Sequence, residues 1–180
     1  MPRDPNPGQI IQLALGFDPG FASCGLAYTN VRTRQLVDHC VIETPPSQAL
    51  ALRLRLIHQQ IALAVKRPGV VAVGYENQLR VGKAKAAEGQ TNANPMILAR
   101  VQGYIESLAW ELGLPVYDHE PGDVKVAALG PGARSANKRQ VREGVFRLTG
   151  QWLSEHAADA CGASWATARR FSVESRLRLD

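Results

Sequence analysis

The chain has 180 residues, of which 45% are hydrophobic, so it suits one folded domain and is not a largely disordered protein. Its formal net charge of +5 at pH 7 favours a polyanionic partner. No apolar run approaches the roughly 18 residues that a membrane span needs, and the opening MPRDPNPGQ lacks the hydrophobic segment of a secretory signal. We therefore expect a cytoplasmic protein that has no membrane partner.

The N-terminal third of the chain predicts an antiparallel meander. Apolar and β-branched segments predict three strands, at residues 10–18, 24–31 and 35–43. The connections between them are short, which favours antiparallel pairing of neighbours. A helix is expected over 47–67, where leucines and isoleucines recur at helical spacing after Ser47, its predicted N-cap.

The middle of the chain predicts a buried strand and a long loop. VVAVGYE, at 70–76, is apolar and β-branched, and the preceding helix favours a parallel pairing with the first strand. The polar segment 77–90, which contains two glycines, predicts a loop. The remaining elements are a strand at 114–119, a loop at 130–137 and helices at 95–112, 121–129, 138–149 and 154–169.

This order of elements predicts an α/β protein with a mixed five-stranded sheet flanked by helices, as in the ribonuclease H-like fold. We expect a disordered lead at 1–8, one ribonuclease H-like domain at 9–168 and a basic, solubilising tail at 169–180. The three cysteines show no CxxC spacing and are expected to be buried free thiols in a reducing cytosol: Cys24, Cys40 and Cys161.

Four potential metal ligands lie on three predicted elements. Asp18 closes the first strand and Glu76 closes the fourth, so adjacent parallel strands would bring both carboxylates to one sheet edge. His156 and Asp159 are three positions apart and share one helix face. Carboxylates and imidazole suit Mg²⁺ or Mn²⁺, and two such ions can catalyse phosphodiester hydrolysis.

Each of these signals has a simpler explanation when it is taken alone. Asp-Pro-Gly is more often a turn than a metal site, and Glu76 could be a surface charge at a strand end. His156 and Asp159 could be an exposed pair in the first turn after Ser154. The combination of four such residues at one predicted sheet edge favours a metal centre over these simpler explanations.

The same segments resemble the RuvC-type Holliday junction resolvases over residues 10–168. The similar stretches are GFDPGFASCGLAY, VAVGYENQL and HAADACGASWATA. The resemblance implies that two metal ions are bound by Asp18, Glu76, His156 and Asp159, and that paired symmetric nicks resolve four-way DNA junctions. Members of that family carry either Asp or His at the place of His156. The resemblance also implies a homodimer, for which the helix 95–112 is the candidate interface, and a branch-migration helicase as a partner.

Two basic stretches, DVKVAALG and ANKRQV, also resemble the family and imply that Lys125 and Lys138 contact DNA phosphates. The family often has a base-stacking aromatic residue three positions after the strand-end glutamate. This chain has Leu79 there, an apolar wedge without an aromatic face. Further basic residues are expected to extend the DNA surface: Arg80, Lys83 and Lys85 in the loop, and Arg134, Arg139 and Arg142.

Three other functions remain open at this point. A ribonuclease H-like nuclease could act on another branched or hybrid substrate through the same metal site. A catalytically inactive junction-binding protein is disfavoured because all four ligands are present. A sugar-kinase-like ATPase is disfavoured because the chain is too short for two such domains and lacks the expected glycine-rich phosphate loop.

Overall fold

Five strands form one mixed sheet in the computed structural model, which describes residues 10–77 and 95–177. The strands are β1 (Leu13–Asp18), β2 (Ser23–Asn30), β3 (Leu36–Glu43), β4 (Val70–Glu76) and β5 (Val116–His119). Their order across the sheet is β3-β2-β1-β4-β5. The first three pair antiparallel, whereas β4 runs parallel to β1 and β5 parallel to β4. The predicted mixed sheet and the parallel central pair are confirmed.

Helices cover both faces of this sheet. They are α1 (Leu50–Val65), α2 (Pro95–Glu111), α3 (Pro121–Leu129), α4 (Lys138–Thr149) and α5 (Glu155–Leu177), with a 3₁₀ turn at Ala133–Ser135 inside the predicted loop at 130–137. The observed start of each helix lies within a few residues of its predicted start. In this part of the chain, no helix has the length and apolar character needed to cross a membrane.

The alternation of side chains along β1 separates two cores. Leu15 and Phe17 point to one face, where they pack with Ile57, Ile61 and Ile105 of α1 and α2. All five side chains are fully buried, and burial of each stabilises the fold by roughly 1.5 to 3 kcal/mol. Gly16 and Asp18 therefore point to the opposite face, which α5 covers.

Three glycines on neighbouring strands let α5 lie directly on the sheet. A Cβ atom at Gly25 would overlap the carbonyl oxygen of His156, and one at Gly16 would overlap the backbone amide of Ser164. A Cβ atom at Gly74 would overlap the hydroxyl of Thr167. We call Gly25, Gly16 and Gly74 the glycine line. It explains why α5, rich in buried alanine, approaches β2, β1 and β4 so closely.

The predicted start of the first helix is wrong. Ser47 does not cap α1, because the chain makes a further turn in which the amide of Gln48 donates to the carbonyl of Pro45. The N-cap is Ala49, which has no side-chain capping bond. A polar residue after two prolines indicated the right region but not the residue where the helix begins.

The predicted end of the last helix is also wrong, since α5 continues to Leu177 rather than stopping near 169. Two contacts hold this extension: Tyr117 on β5 donates to Glu174, and Arg34 in the connection between β2 and β3 donates to Ser172. Residues 169–177 of the expected tail are thus helical, while the proposed domain limits remain a prediction. Cys24 and Cys161 are buried as expected, but Cys40 is exposed because it lies on the edge strand β3.

Candidate metal centre and nucleic-acid surface

The ends of β1 and β4 place Asp18 and Glu76 at one edge of the sheet. The parallel register pairs Phe17 with Tyr75, so the two carboxylates follow the last paired residues on adjacent strands. Gly16 and Gly74 both face α5, and residues two positions further along a strand share that face. Asp18 is only 2% exposed, while Glu76 is half-buried. Tyr75, which lies between Gly74 and Glu76, points to the other face and belongs to the core.

The start of α5 brings His156 to Asp18. The Nδ1 atom of His156 lies 2.7 Å from Oδ2 of Asp18, at hydrogen-bonding distance. This bond is the main reason why the pKa of His156 is raised above its usual value, and burial opposes it. The histidine side chain is 40% exposed, so the pair is open to solvent on one side.

Asp159 lies one turn further along α5. Burial raises the pKa of Asp159 to about 6, and the negative charge of Asp18 adds to the effect. The positive charges of Lys138, His156 and Lys125 lower it only in part. The carboxylates of Asp18 and Asp159 thus lie close enough to repel each other, which is the condition that a bound cation relieves.

The donor set suits a hard divalent cation, because it consists of carboxylate oxygens and one imidazole. Within residues 10–77 and 95–177, however, no three His, Cys, Asp or Glu side chains are already arranged as metal ligands. Asp18 and His156 are bonded to each other, and Asp159 lies within reach of their charges. Glu76 shares their edge and face, and its carbonyl accepts a hydrogen bond from Gln102.

Comparison with known proteins decides the family. The family model for crossover junction endodeoxyribonuclease RuvC matches residues 14–166. The chain belongs to the RuvC family. A curated RuvC from Leifsonia xyli subsp. xyli is 34% identical over 152 residues, which cover 83% of this chain and 68% of that protein. Nucleases of this family depend on divalent metal ions.

Solved structures agree with this assignment. The structure of Thermus thermophilus RuvC has a TM-score of 0.72 and 25% identity, covering 91% of this chain and 97% of that one. T. thermophilus RuvC has also been solved in complex with a Holliday junction substrate, and that chain matches with a TM-score of 0.70 and 24% identity over 90% and 96% of the two chains. The ribonuclease H-like fold is therefore confirmed.

Both lysines that the RuvC resemblance singles out lie near the carboxylates. Lys125 on α3 and Lys138 at the start of α4 each lower the pKa of Asp159, so their charges act at the metal centre. Lys138 also forms an ion pair with Glu155. Arg139 is well exposed and bonded to Glu143 at 2.8 Å. Four further predicted DNA contacts lie outside the part of the chain that the structure describes: Leu79, Arg80, Lys83 and Lys85.

The other two predicted arginines have local partners. Arg134 donates to Asp123 and Glu120, at 2.8 and 3.1 Å, and so ties the 3₁₀ turn to α3. The Nε atom of Arg142 donates to the carbonyl of Leu153 at 2.9 Å, and its guanidinium group lies over the ring of Trp152. Arg142 therefore belongs to an aromatic surface that the sequence did not predict.

A buried polar pair behind the metal centre was also missed. His119 is the register partner of Glu76 across β4 and β5. Its Nε2 atom lies 2.9 Å from the hydroxyl of Thr167 on α5, and the side chain is buried. Burial lowers the pKa of His119 to about 4, so the ring is neutral at pH 7. No local pattern connects His119 with Thr167, because the pair forms only when α5 packs across the sheet.

Proposed function

We propose that this RuvC-family nuclease resolves four-way DNA junctions by paired symmetric nicks, with Asp18, Glu76, His156 and Asp159 as its metal-binding catalytic residues. The direct contact between Asp18 and His156 supports the proposal most strongly, because it joins the end of β1 to the start of α5. Both residues lie inside the segment that matches the family model. The reaction class is hydrolysis of phosphodiester bonds by a structure-specific endonuclease.

In the proposed mechanism the carboxylates of Asp18, Glu76 and Asp159 hold two Mg²⁺ or Mn²⁺ ions. When bound, such ions polarise the scissile phosphate and make a bound water more acidic. Asp159 must be ionised to serve as a ligand, and His156 must be neutral. The buried position of Asp18 keeps one side of the site dry and fixes its carboxylate for this purpose.

The proposal also assigns DNA contacts to residues outside the metal centre. Lys125 and Lys138 neutralise backbone phosphates, and each such contact contributes about one unit to the slope of log affinity against log salt. Arg139 extends the positive surface on α4. Four residues that follow β4 complete the proposed contacts: Leu79, Arg80, Lys83 and Lys85.

Two symmetric nicks need two active sites, so we propose a homodimer with twofold symmetry. The helix α2 supports this assembly, because it exposes Met96 by 70% and Trp110 by 84% while its other face packs on the sheet. A branch-migration helicase complex is the proposed partner that would deliver junctions. The substrate itself is suggested by the T. thermophilus RuvC complex with a Holliday junction.

A cleavage assay tests the function. The protein is incubated with a labelled four-way junction or a matching linear duplex, in Mg²⁺, Mn²⁺ or EDTA. We expect paired nicks in the junction alone, which disappear in EDTA and in Asp18→Asn. Asp38→Asn is the matched control, because Asp38 is an exposed carboxylate on β3 that pairs with Arg67, which follows α1.

Two other outcomes of the cleavage assay would support one of the alternative functions. Cleavage of an RNA–DNA hybrid in preference to the junction would assign the metal centre to another substrate. Tight junction binding without cleavage in any metal would indicate a binding protein and would contradict the catalytic roles of all four residues.

A further inference from the structure

The segment after α4 folds back along that helix toward the metal centre. Three successive contacts join them: Phe146 with Trp152, Arg142 with the carbonyl of Leu153, and Lys138 with Glu155. Because His156 follows Glu155 directly, these contacts trace a continuous surface from the metal centre to Trp152. We call the side chains of Arg142, Phe146 and Trp152 the aromatic platform.

The aromatic platform is held firmly although it faces solvent. The rings of Phe146 and Trp152 meet edge to face, with centroids 5.4 Å apart and an interplanar angle of 67°. The guanidinium carbon of Arg142 lies 5.2 Å from the centroid of Trp152. Trp152 nevertheless remains 55% exposed and Phe146 44% exposed. Two aromatic rings that are already held by contacts offer exposed apolar surface at little further entropic cost.

The charge around the platform favours nucleic acid over a protein partner. Helix α4 has four basic residues and one acidic residue along its length: Lys138, Arg139, Arg142 and Arg147 against Glu143. Arginine and lysine interleaved with exposed aromatic rings are typical of surfaces that bind nucleic-acid strands, where cations meet phosphates and rings stack on nucleotides. Although Lys138 and Arg139 pair with glutamates, the excess of basic residues on this helix favours a phosphate backbone as its partner.

The spacing along α4 gives the position of the contact. Phe146 is eight residues beyond Lys138, which corresponds to about 12 Å of helix at the usual rise per residue. Phosphates along one strand of a duplex are about 3.4 Å apart along the axis. A duplex whose axis runs along α4, with one strand passing Lys138, therefore places Trp152 beside a nucleotide three to four positions away.

We propose that the aromatic platform binds the DNA three to four nucleotides from the cleaved phosphate, with Trp152 packed against a nucleotide and Arg142 beside it. This inference rests on the proposed function, since it takes the scissile phosphate to lie at the edge defined by Asp18. It assigns a DNA contact to residues outside the metal centre and outside the basic residues predicted from the sequence.

The test uses a four-way junction that carries 2-aminopurine at defined distances from the cleavage site. Wild-type protein is expected to change the fluorescence of the probe most at three to four nucleotides, and little at ten. Trp152→Ala should lose this position-dependent change and weaken junction binding about tenfold. Trp152→Phe should recover most of the affinity. Leu63→Ala, an exposed apolar side chain on α1, is the control and should bind as wild type.

Two results would overturn the proposal. One is a Trp152→Ala variant that binds the junction as wild type and leaves the probe response unchanged. Another is a variant that alters the self-association of the protein but not its affinity for DNA, which would mark a protein interface. Thermal denaturation shows whether the variant is folded, and Trp152→Phe keeps the test valid if alanine unfolds the chain. Junction cleavage by wild-type protein, measured in parallel, reports separately on the proposed function.

Discussion

His156 and Asp18 share a hydrogen bond of 2.7 Å although 138 positions separate them in the chain. The carboxylate is buried and the imidazole is partly open to solvent. Since the bond favours the charged imidazole, it raises the pKa of His156. The metal ion that we propose at Asp18 would therefore compete with a proton on His156 for the same negative charge.

This competition predicts that metal binding depends on pH. The affinity for Mn²⁺ should rise between pH 5.5 and 7.5, and protons should be released on binding, because His156 and Asp159 must both lose protons. Calorimetry in two buffers with different ionisation heats counts these protons. His156→Ala should release fewer, whereas His39→Ala on the edge strand should behave as wild type. Nuclease activity that stays flat down to pH 5 would contradict a metal-binding role for His156.

Asp159→Asn should stabilise the metal-free protein while abolishing cleavage. The pKa of Asp159 is raised from 3.8 to about 6, so the folded state binds more protons than the unfolded state between these values. The free energy of unfolding therefore falls as pH rises through this range. At pH 7.5 the asparagine variant should gain about 1 to 3 kcal/mol.

Urea denaturation in EDTA measures this gain. It should shrink as the pH falls toward 4, where the wild-type carboxyl group is also neutral. Asp123→Asn, an exposed carboxylate paired with Arg134, is the control and should bring no gain. A wild-type protein that is more stable than Asp159→Asn at pH 7.5 without metal would contradict this prediction. It would show that nearby positive charges fully compensate the negative charge of Asp159.

Gly16→Ala should destabilise the protein and disturb the metal centre together. Its Cβ atom would overlap the backbone of Ser164 and Ala160, so α5 would have to move away from the sheet. We expect a loss of several kcal/mol in the free energy of unfolding, of the order seen for overpacked cores. Gly103→Ala in α2 is the matched control, because nothing lies within 4 Å of its Cβ position.

The control should instead gain about 0.5 to 1 kcal/mol, since alanine favours a helix over glycine. Thermal denaturation and junction cleavage measure both variants. A stable Gly16→Ala protein with wild-type activity would show that α5 is not held by close contact with β1.

His119 should make the protein sensitive to mild acid. Burial lowers its pKa from 6.5 to about 4, so the unfolded state binds a proton more readily. The free energy of unfolding is then at its full value above pH 6.5 and falls between 6.5 and 4, with a contribution of at most about 3 kcal/mol. Urea denaturation across this range measures the loss. His119→Gln, which keeps a polar partner for Thr167, should show a shallower pH dependence than wild type.

Local patterns were enough to predict the residues that end strands and begin helices near the metal centre. The strand that ends in Glu76 was predicted with its observed limits, because an apolar β-branched run lies between Gly69 and polar residues. The capping box of Asn137 and Gln140 likewise fixes the start of α4. Such signals depend on neighbouring residues alone, so they can be recognised in the sequence.

Contacts between distant segments account for what was missed. The bond between His119 and Thr167 joins residues 48 positions apart, and it depends on the close approach of α5 to Gly74. The aromatic platform depends on the chain reversing after Gly150, which adopts a left-handed conformation with φ of 71°. The extension of α5 to Leu177 is held by Tyr117 on β5 and by Arg34 in the connection between β2 and β3.

The glycine line also makes the proposed metal centre depend on the last helix of the fold. Asp18 leaves the ribosome early, but its partners lie on a helix that is made near the end of the chain. Contacts between such distant segments form late, because the chain must first lose the entropy of a long loop. Under the proposed assignment, a nascent chain that still lacks α5 lacks His156 and Asp159 and therefore two of the four metal ligands.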